Sequence, residues 1–357
     1  MGEDREVATS RLVILDALRG FAVMGILAMN IVAFAMPEMA YITPRAYGGD
    51  TATDIAAWAI GFILFDGKMR GLFSILFGAS MLLIIDRARA SDQDSASVHY
   101  RRMAWLAVFG LSHYVVIWWG DILFLYAAVG CVAFRFRDWA PRRLIRWAIG
   151  LFTLGIAIMS LFFGSQLFVS RAADAPAASP ELAEAGRALN AEYAGFDDKI
   201  AGEVALYRGD YLPILAERLD NVQSPIIMVV MNFLETLPLM MIGMALFRNG
   251  FLTGAWARAD YRRVALRWLP PGLLLTLLLT WVLWRAGFDT LIALNIFLAW
   301  GGPGRLMMTI GYAALFVLLI QTCATRAWIA RVAAAGRMAF SNYIGTSVVM
   351  TSIFYGY

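Results

Sequence analysis

Apolar residues run along this chain in blocks of roughly 18–23, the length a helix needs to cross a bilayer. Nine blocks read as spanning helices, at about 12–34, 69–86, 102–119, 121–136, 145–168, 225–247, 263–284, 305–324 and 338–356. None alternates apolar and polar residues as a barrel strand does. A further run at 53–65 is shorter, and apolar runs of about 10–14 residues lie at the interface or re-enter it more often than they cross. Only Gly120 and Asp121 separate the third block from the fourth, which fits a tight turn. Residues 169–224 are the one sizeable polar stretch, rich in Ala, Glu, Leu and Arg and interrupted by glycine. That pattern predicts two or three short amphipathic helices. The chain therefore reads as one all-α polytopic membrane domain, residues 1–357, with a helical insertion at 169–224.

Charge orients the bundle. Lys and Arg gather at 87–102, 135–146, 248–267 and 326–337, and basic loops face the cytoplasm. With nine spans and 53–65 not crossing, all four clusters and the N-terminus with Arg5 and Arg11 fall on that side. Segments 35–68, the Gly120 turn, 169–224 and 285–304 then lie outside, and 169–224 becomes an extracytoplasmic cap. The chain stops at IFYGY, flush with the outer end of its last block, so a tenth helix is expected in the complete protein.

Composition removes other classes. Of 357 residues, 61% are hydrophobic and 16% charged, against about 45–50% and 25% in soluble domains. The net charge of +4 is spread over many loops, so it carries topology and gives no nucleic-acid footprint. Cys131 and Cys323 lie inside apolar blocks, with no CxxC or His/Cys cluster. Neither a metal centre nor a disulfide framework is expected.

A charge at mid-bilayer costs on the order of 2.5–3.5 kcal/mol, so intramembrane polar residues are the candidates for function. Asp16 and Arg19 share a face near the start of the first block. They read as a phosphate-binding arginine with its orienting carboxylate, or as an ion pair that fixes helix depth. Asn30 follows on about the same face. Asp66 and Lys68, with Arg70, precede the second block, whose Gly71, Ser74 and Gly78 form a small-residue face for close packing. His113 lies about 16 Å along its helix from Arg102, near mid-membrane. It reads as a general base oriented by a carboxylate such as Asp121, or as a bridge to Asn232, Glu235 or Tyr343. Asn232 and Glu235 precede Pro238, which frees a backbone carbonyl. Asn342 and Tyr343 mark the last block. Arg101 and Arg102 stand at the cytoplasmic foot of the His113 helix, as phosphate anchors or as ordinary topology residues.

Four of these stretches carry a resemblance. RLVILDALRGFAVMGILAMNI at 11–31, DGKMRGLFSILFGAS at 66–80, HYVVIWWGDILFLYA at 113–127 and GRMAFSNYIGTSVVMTSIFYG at 336–356 resemble the YeiB-type bacterial inner-membrane family, domain of unknown function 418, across essentially the whole chain. That family is in turn remotely similar to transmembrane acyltransferases, including heparan glucosaminide acetyltransferases and those that decorate bacterial polysaccharides. The likeness implies a ten-helix bundle in the bacterial inner membrane. It would move an acyl group from cytoplasmic acyl-CoA to an extracytoplasmic sugar hydroxyl or amine, on a glycan or a lipid-linked acceptor. Relatives hold their histidine near the first helix, whereas residues 12–68 here have none, so the chemistry rests on this chain's own residues. His113, Asp121 and Glu235 are the expected catalytic groups. Asp16, Arg19, Arg101 and Arg102 would hold the acyl-CoA, and Asn30, Asp66, Lys68, Asn232, Asn342 and Tyr343 the acceptor. Membrane lipids are the surrounding partner; no nucleic acid and no metal are expected. The rival class is a transporter or a lipid- or metabolite-binding protein without catalysis, and a third is a structural subunit of a membrane complex. A groove open to the cytoplasm and ringed by arginine would favour the enzyme.

Overall fold

The computed structural model describes residues 2–194, 196–323 and 325–357, with the side chains of residues 2–12, including Arg5 and Arg11, and of 194, 196 and 197 outside the described set. Among the described residues the secondary structure is all helical, without strands. Six helical runs are long and apolar enough to cross a membrane: Val13–Ala35, Ala52–Ala90, Pro141–Ala173, Ser224–Arg248, Arg258–Arg285 and Gly302–Thr322. They lie in α1 (Gly2–Ala35), α3 with α4 (Ala52–Leu64 and Lys68–Ala90), α7 (Pro141–Ala173), α11 (Ser224–Arg248), α12 (Arg258–Arg285) and α14 (Gly302–Thr322). The short α2 (Glu38–Ile42) precedes α3. Helices also occupy the other three expected positions, as α5 (Ser95–Ser112), α6 (Leu123–Ala133) and α16 (Ala339–Phe354). They have 18, 11 and 16 residues, so α6 and α16 by themselves fall short of a bilayer core of about 30 Å.

Helix α4 is the hub. It packs against α1, α5, α6, α11 and α14, and its buried positions cover most of its circumference, from Met69 and Leu72 round to Gly78, Ser74 and Met81. A helix apolar all round belongs inside a bundle. Its small residues serve three different neighbours: Gly71 lies against Thr309 of α14, Ser74 hydrogen-bonds Tyr126 of α6, and Gly78 lies against Met240 of α11. The chain enters α4 through Gly67, at φ +67°, where a Cβ would also run into Arg305. Both facts demand glycine.

The expected polar insertion is three helices, α8 (Pro180–Ala194), α9 (Phe196–Tyr207) and α10 (Tyr211–Asp220), and α7 runs on past its expected end at 168 to meet them. Helix α13 (Thr290–Asn295) packs on α7. The segment read as a basic loop at 326–337 is largely helical: α15 (Ala327–Arg337) docks along the middle of α1. Helix α11 continues through Pro238 without a break.

Candidate functional site

A cavity of about 680 Å³ runs between α1, α4, α5, α6, α15 and α16. Its mouth is basic, lined by Arg19, Arg87, Arg102 and Arg337 with Asp16 and His99. Arg19 is bound from two helices, donating to Asp16 Oδ1 at 2.5 Å and to Ser80 Oγ at 2.9 Å. Thus the Asp16–Arg19 pair expected from spacing exists, and α4 fixes its direction. The middle of the cavity is apolar, walled by Val23, Ile26, Leu27, Phe73, Phe77 and Leu106. Its far end is lined by Asn30, Ile122, Tyr126, Tyr343 and Ser347. Arg19 and Asn30 are eleven residues apart on one helix, so the bore is roughly 16 Å long. Between α5 and α16 the rings of Phe109 and Phe340, both lining residues, meet edge-on with centroids 5.3 Å apart.

His113 and Asp121 come together behind that far end. Helix α5 passes into a π turn, His113–Ile117, and the chain then breaks to an extended Trp118. Such turns recur at functional sites because the extra residue re-aims a side chain. The break folds Asp121 back until its Oδ1 lies 3.1 Å from His113 Nδ1, with both side chains 1% exposed. The approach is close in distance but not aligned as a formed hydrogen bond, and His113 Nε2 has no partner either. Asp121 Oδ2 accepts the Phe124 N–H at 2.8 Å and so caps the start of α6. Tyr343 completes the group. Its ring lies 5.1 Å from the imidazole, and its hydroxyl accepts from the Ile122 N–H and donates to the Gly120 carbonyl, each at 3.2 Å. Tyr343 and Ile122 line the cavity, whereas His113 and Asp121 stand one layer behind.

A second polar centre joins α4, α11 and α14. Arg70 donates to Asn232 Oδ1 at 2.5 Å and to Glu235 Oε2 at 2.9 Å. Arg305 lies 4.0 Å from both Asp66 Oδ2 and Glu235 Oε1 and donates to the Phe297 carbonyl at 2.5 Å. Tyr41 donates to Asp66 Oδ1 at 2.5 Å, while Asp66 Oδ2 is unpartnered. Lys68 is fully buried and gives its ammonium to the Phe62 carbonyl at 2.6 Å. Tyr126 links the two centres: it lines the cavity and its hydroxyl meets Ser74 Oγ at 2.8 Å and the Arg70 carbonyl at 3.3 Å. Asp66 also lines a separate cavity of about 280 Å³ on another face of α1, with Tyr41, Trp58 and Phe297.

The sequence-predicted residues thus divide. Asp16, Arg19, Arg102, Asn30 and Tyr343 share the large cavity, with His113 and Asp121 behind its end. Glu235, Asn232, Asp66 and Lys68 belong to the second centre. Arg101 is exposed and outside the cavity, and Asn342 ties α16 to α15 by donating to the Ala335 carbonyl at 2.9 Å. Sequence reasoning missed Arg87, Arg337 and His99 at the mouth, Tyr126 in the wall, and Arg305. Arg305 carried a readable signal, a cation opening an apolar block on the side away from the basic loops. Among the described residues no three His, Cys, Asp or Glu side chains converge as a metal site.

Comparison with known proteins adds relatives without an assigned activity. A family model described as "Protein of unknown function (DUF418)" matches residues 246–357, a segment that contains Arg305, Arg337 and Tyr343. The chain is 29% identical to "Uncharacterized protein YeiB" of Escherichia coli (strain K12) over 349 residues, 97% of this chain and 84% of the relative. It is 35% identical to "Uncharacterized protein YxaH" of Bacillus subtilis (strain 168) over 152 residues, 42% of this chain and 38% of that protein. No solved structure matches the chain.

Proposed function

We propose that this chain, similar to YeiB along most of its length and to the DUF418 model over residues 246–357, is a membrane acyltransferase. The donor is a cytoplasmic acyl-CoA, and the acceptor is an extracytoplasmic hydroxyl or amine on a glycan or lipid-linked saccharide. In this reading the chain crosses the bacterial inner membrane nine times with its N-terminus in the cytoplasm, and α8–α10 form the outer cap. The observation that carries the reading is the cavity itself: four arginines and one carboxylate at its mouth, and a histidine–carboxylate pair behind its opposite end. The excess of cationic side chains at the mouth suits a polyphosphate. At the far end, beside this pair, the acceptor oxygen or nitrogen attacks the thioester carbon. The C–S bond breaks, a C–O or C–N bond forms, His113 takes the acceptor's proton and returns it to the departing CoA thiolate. Asp121 steadies the imidazole. Tyr343 lies on the cavity side of this pair, so its ring must swing aside as substrate arrives.

One observation favours a second reading. The bore's middle is walled by apolar side chains, and the Phe109–Phe340 contact forms a seam on its flank. An anionic lipid with its phosphate on the arginines and a chain in the bore would fit without chemistry. The deciding experiment is a titration of acetyl-CoA into the full protein in nanodiscs, with free CoA and ATP as controls, beside mass spectrometry of co-purified lipid. Saturable binding selective for CoA species supports transfer. A stoichiometric anionic lipid that acetyl-CoA cannot displace supports the second reading.

A further inference from the structure

The π turn that carries His113 leaves backbone carbonyls without helical partners. Trp118 N–H closes the turn onto the His113 carbonyl at 2.9 Å, and the chain then becomes extended. No following turn of helix exists to take the carbonyls of Val115 and Val116. Val115 is half-buried and Val116 exposed; backbone carbonyls freed from a helix take other donors, and α10 supplies them. Arg218 Nη1 donates to the Val115 carbonyl at 3.3 Å, and the Tyr211 hydroxyl donates to the Val116 carbonyl at 2.8 Å. In the other direction, the Tyr114 hydroxyl donates to the Asn221 carbonyl, just past α10, at 2.8 Å. Arg218 is fully buried, and Ile214 on the same helix packs into the cluster that holds Trp118 and Phe34.

We propose that α10 is the positioning element of His113. Tyr211, Arg218 and Asn221 hold residues 113–117 in π register and thereby set the approach of His113 to Asp121. A saccharide acceptor seated on the cap would bear on the imidazole through these three bonds. The value of this to chemistry rests on the acyl-transfer reading; the positioning does not. These are positioning residues, since none lines the large cavity.

The chain has two histidines, which makes the test direct. The full protein, labelled with ¹⁵N-histidine in nanodiscs, gives imidazole signals for His113 and His99. The His99 ring sits at the other end of α5, its Nε2 3.1 Å from the Gly130 carbonyl, and serves as internal control. Tyr211→Phe and Tyr114→Phe each delete one hydroxyl and no bulk. In the double variant the His113 signals are expected to shift or split, and amide exchange across 114–118 to quicken at least tenfold, with His99 unmoved. Arg218→Lys, which keeps a donor, should retain the wild-type signature, and Arg218→Met should lose it. If Arg218→Met does not fold, the tyrosine variants decide. Unchanged His113 signals in the folded double variant overturn the proposal, and so does an equal shift of both histidines. No outcome depends on activity, so a protein that never bound acyl-CoA would still give a clear answer.

Discussion

Asp121 Oδ1 stands 3.1 Å from His113 Nδ1 while the other oxygen of the same carboxylate caps α6. One side chain therefore serves both the local fold and the candidate chemistry, and substitutions can separate them. Asp121→Asn keeps an acceptor for the Phe124 N–H and removes the charge beside the imidazole. Asp121→Ala removes both, and loss of a cap costs about 1 kcal/mol. Thermal unfolding should show Asp121→Asn near wild type and Asp121→Ala lower. Acyl transfer should fall in both variants and vanish in His113→Ala. Full activity in His113→Ala would remove the histidine from the mechanism.

The mouth arginines should differ from their exposed neighbour. Arg19 is fixed by Asp16 and Ser80 and lines the cavity, whereas Arg101 does not. A hydrogen bond to a charged group is worth about 1.5–3 kcal/mol, so Arg19→Ala should weaken acetyl-CoA binding roughly 10- to 100-fold. Arg102→Ala should act in the same direction. Isothermal titration with Arg101→Ala as control checks this, and equal losses in Arg19→Ala and Arg101→Ala would point to general charge attraction.

Arg70 and Glu235 form the shortest ion pair of the second centre, with side chains 22% exposed on each side. Removing one member of a fully buried pair typically costs about 3–5 kcal/mol because the other is left uncompensated, and this half-buried pair should lose less. Glu235→Leu is expected to lower the unfolding midpoint. Arg70→Met/Glu235→Leu together should recover much of that loss. A double variant as unstable as the sum of the singles would show that the pair is not coupled.

The cap carries a pH dependence. Burial pushes the Glu203 carboxyl above its usual range; the Glu38 N–H, which donates to it at 2.9 Å, pulls it back, and the charges of Glu38 and Glu217 add a smaller push. A raised value means the folded cap holds the proton more tightly than the unfolded chain. That stability is complete below the ordinary carboxylate value of about 4.3 and is lost as pH rises through the folded one. Wild type and Glu203→Gln should therefore unfold alike near the acid end. Wild type should fall below the variant as pH rises toward neutrality. A difference independent of pH would exclude Glu203 as its source.

Periodicity and block length made the helices readable, because lipid demands long apolar runs with every backbone group paired internally. The same logic found Asp16 with Arg19 and His113 with Asp121, since each pair is local in the chain or joined by one short turn. Arg70 with Glu235, Arg87 and Arg337 beside Arg19, and Arg218 on Val115 were not readable. Those relationships span separations from 68 to 318 residues, and no local pattern encodes which helix neighbours which. The π turn at His113 was hidden too, because one extra residue in a turn leaves no mark in the apolar pattern. Helix α15 was read as loop because its charges satisfied the topology rule, although its Ala- and Ile-bearing face was already present.

Helix α15 closes onto the middle of α1 where Gly336 fits against the Asp16 carbonyl, at a contact with no room for a side chain. These partners are 320 residues apart. At about 5–20 residues per second, the ribosome needs roughly 15–65 s to travel between them. For that interval α1 is without its partner at Asp16, and the floor of the arginine mouth is laid only once α15 has followed. The order of synthesis thus makes the arginine mouth a late assembly relative to α1, whose Asp16 face stays uncovered until α15 arrives.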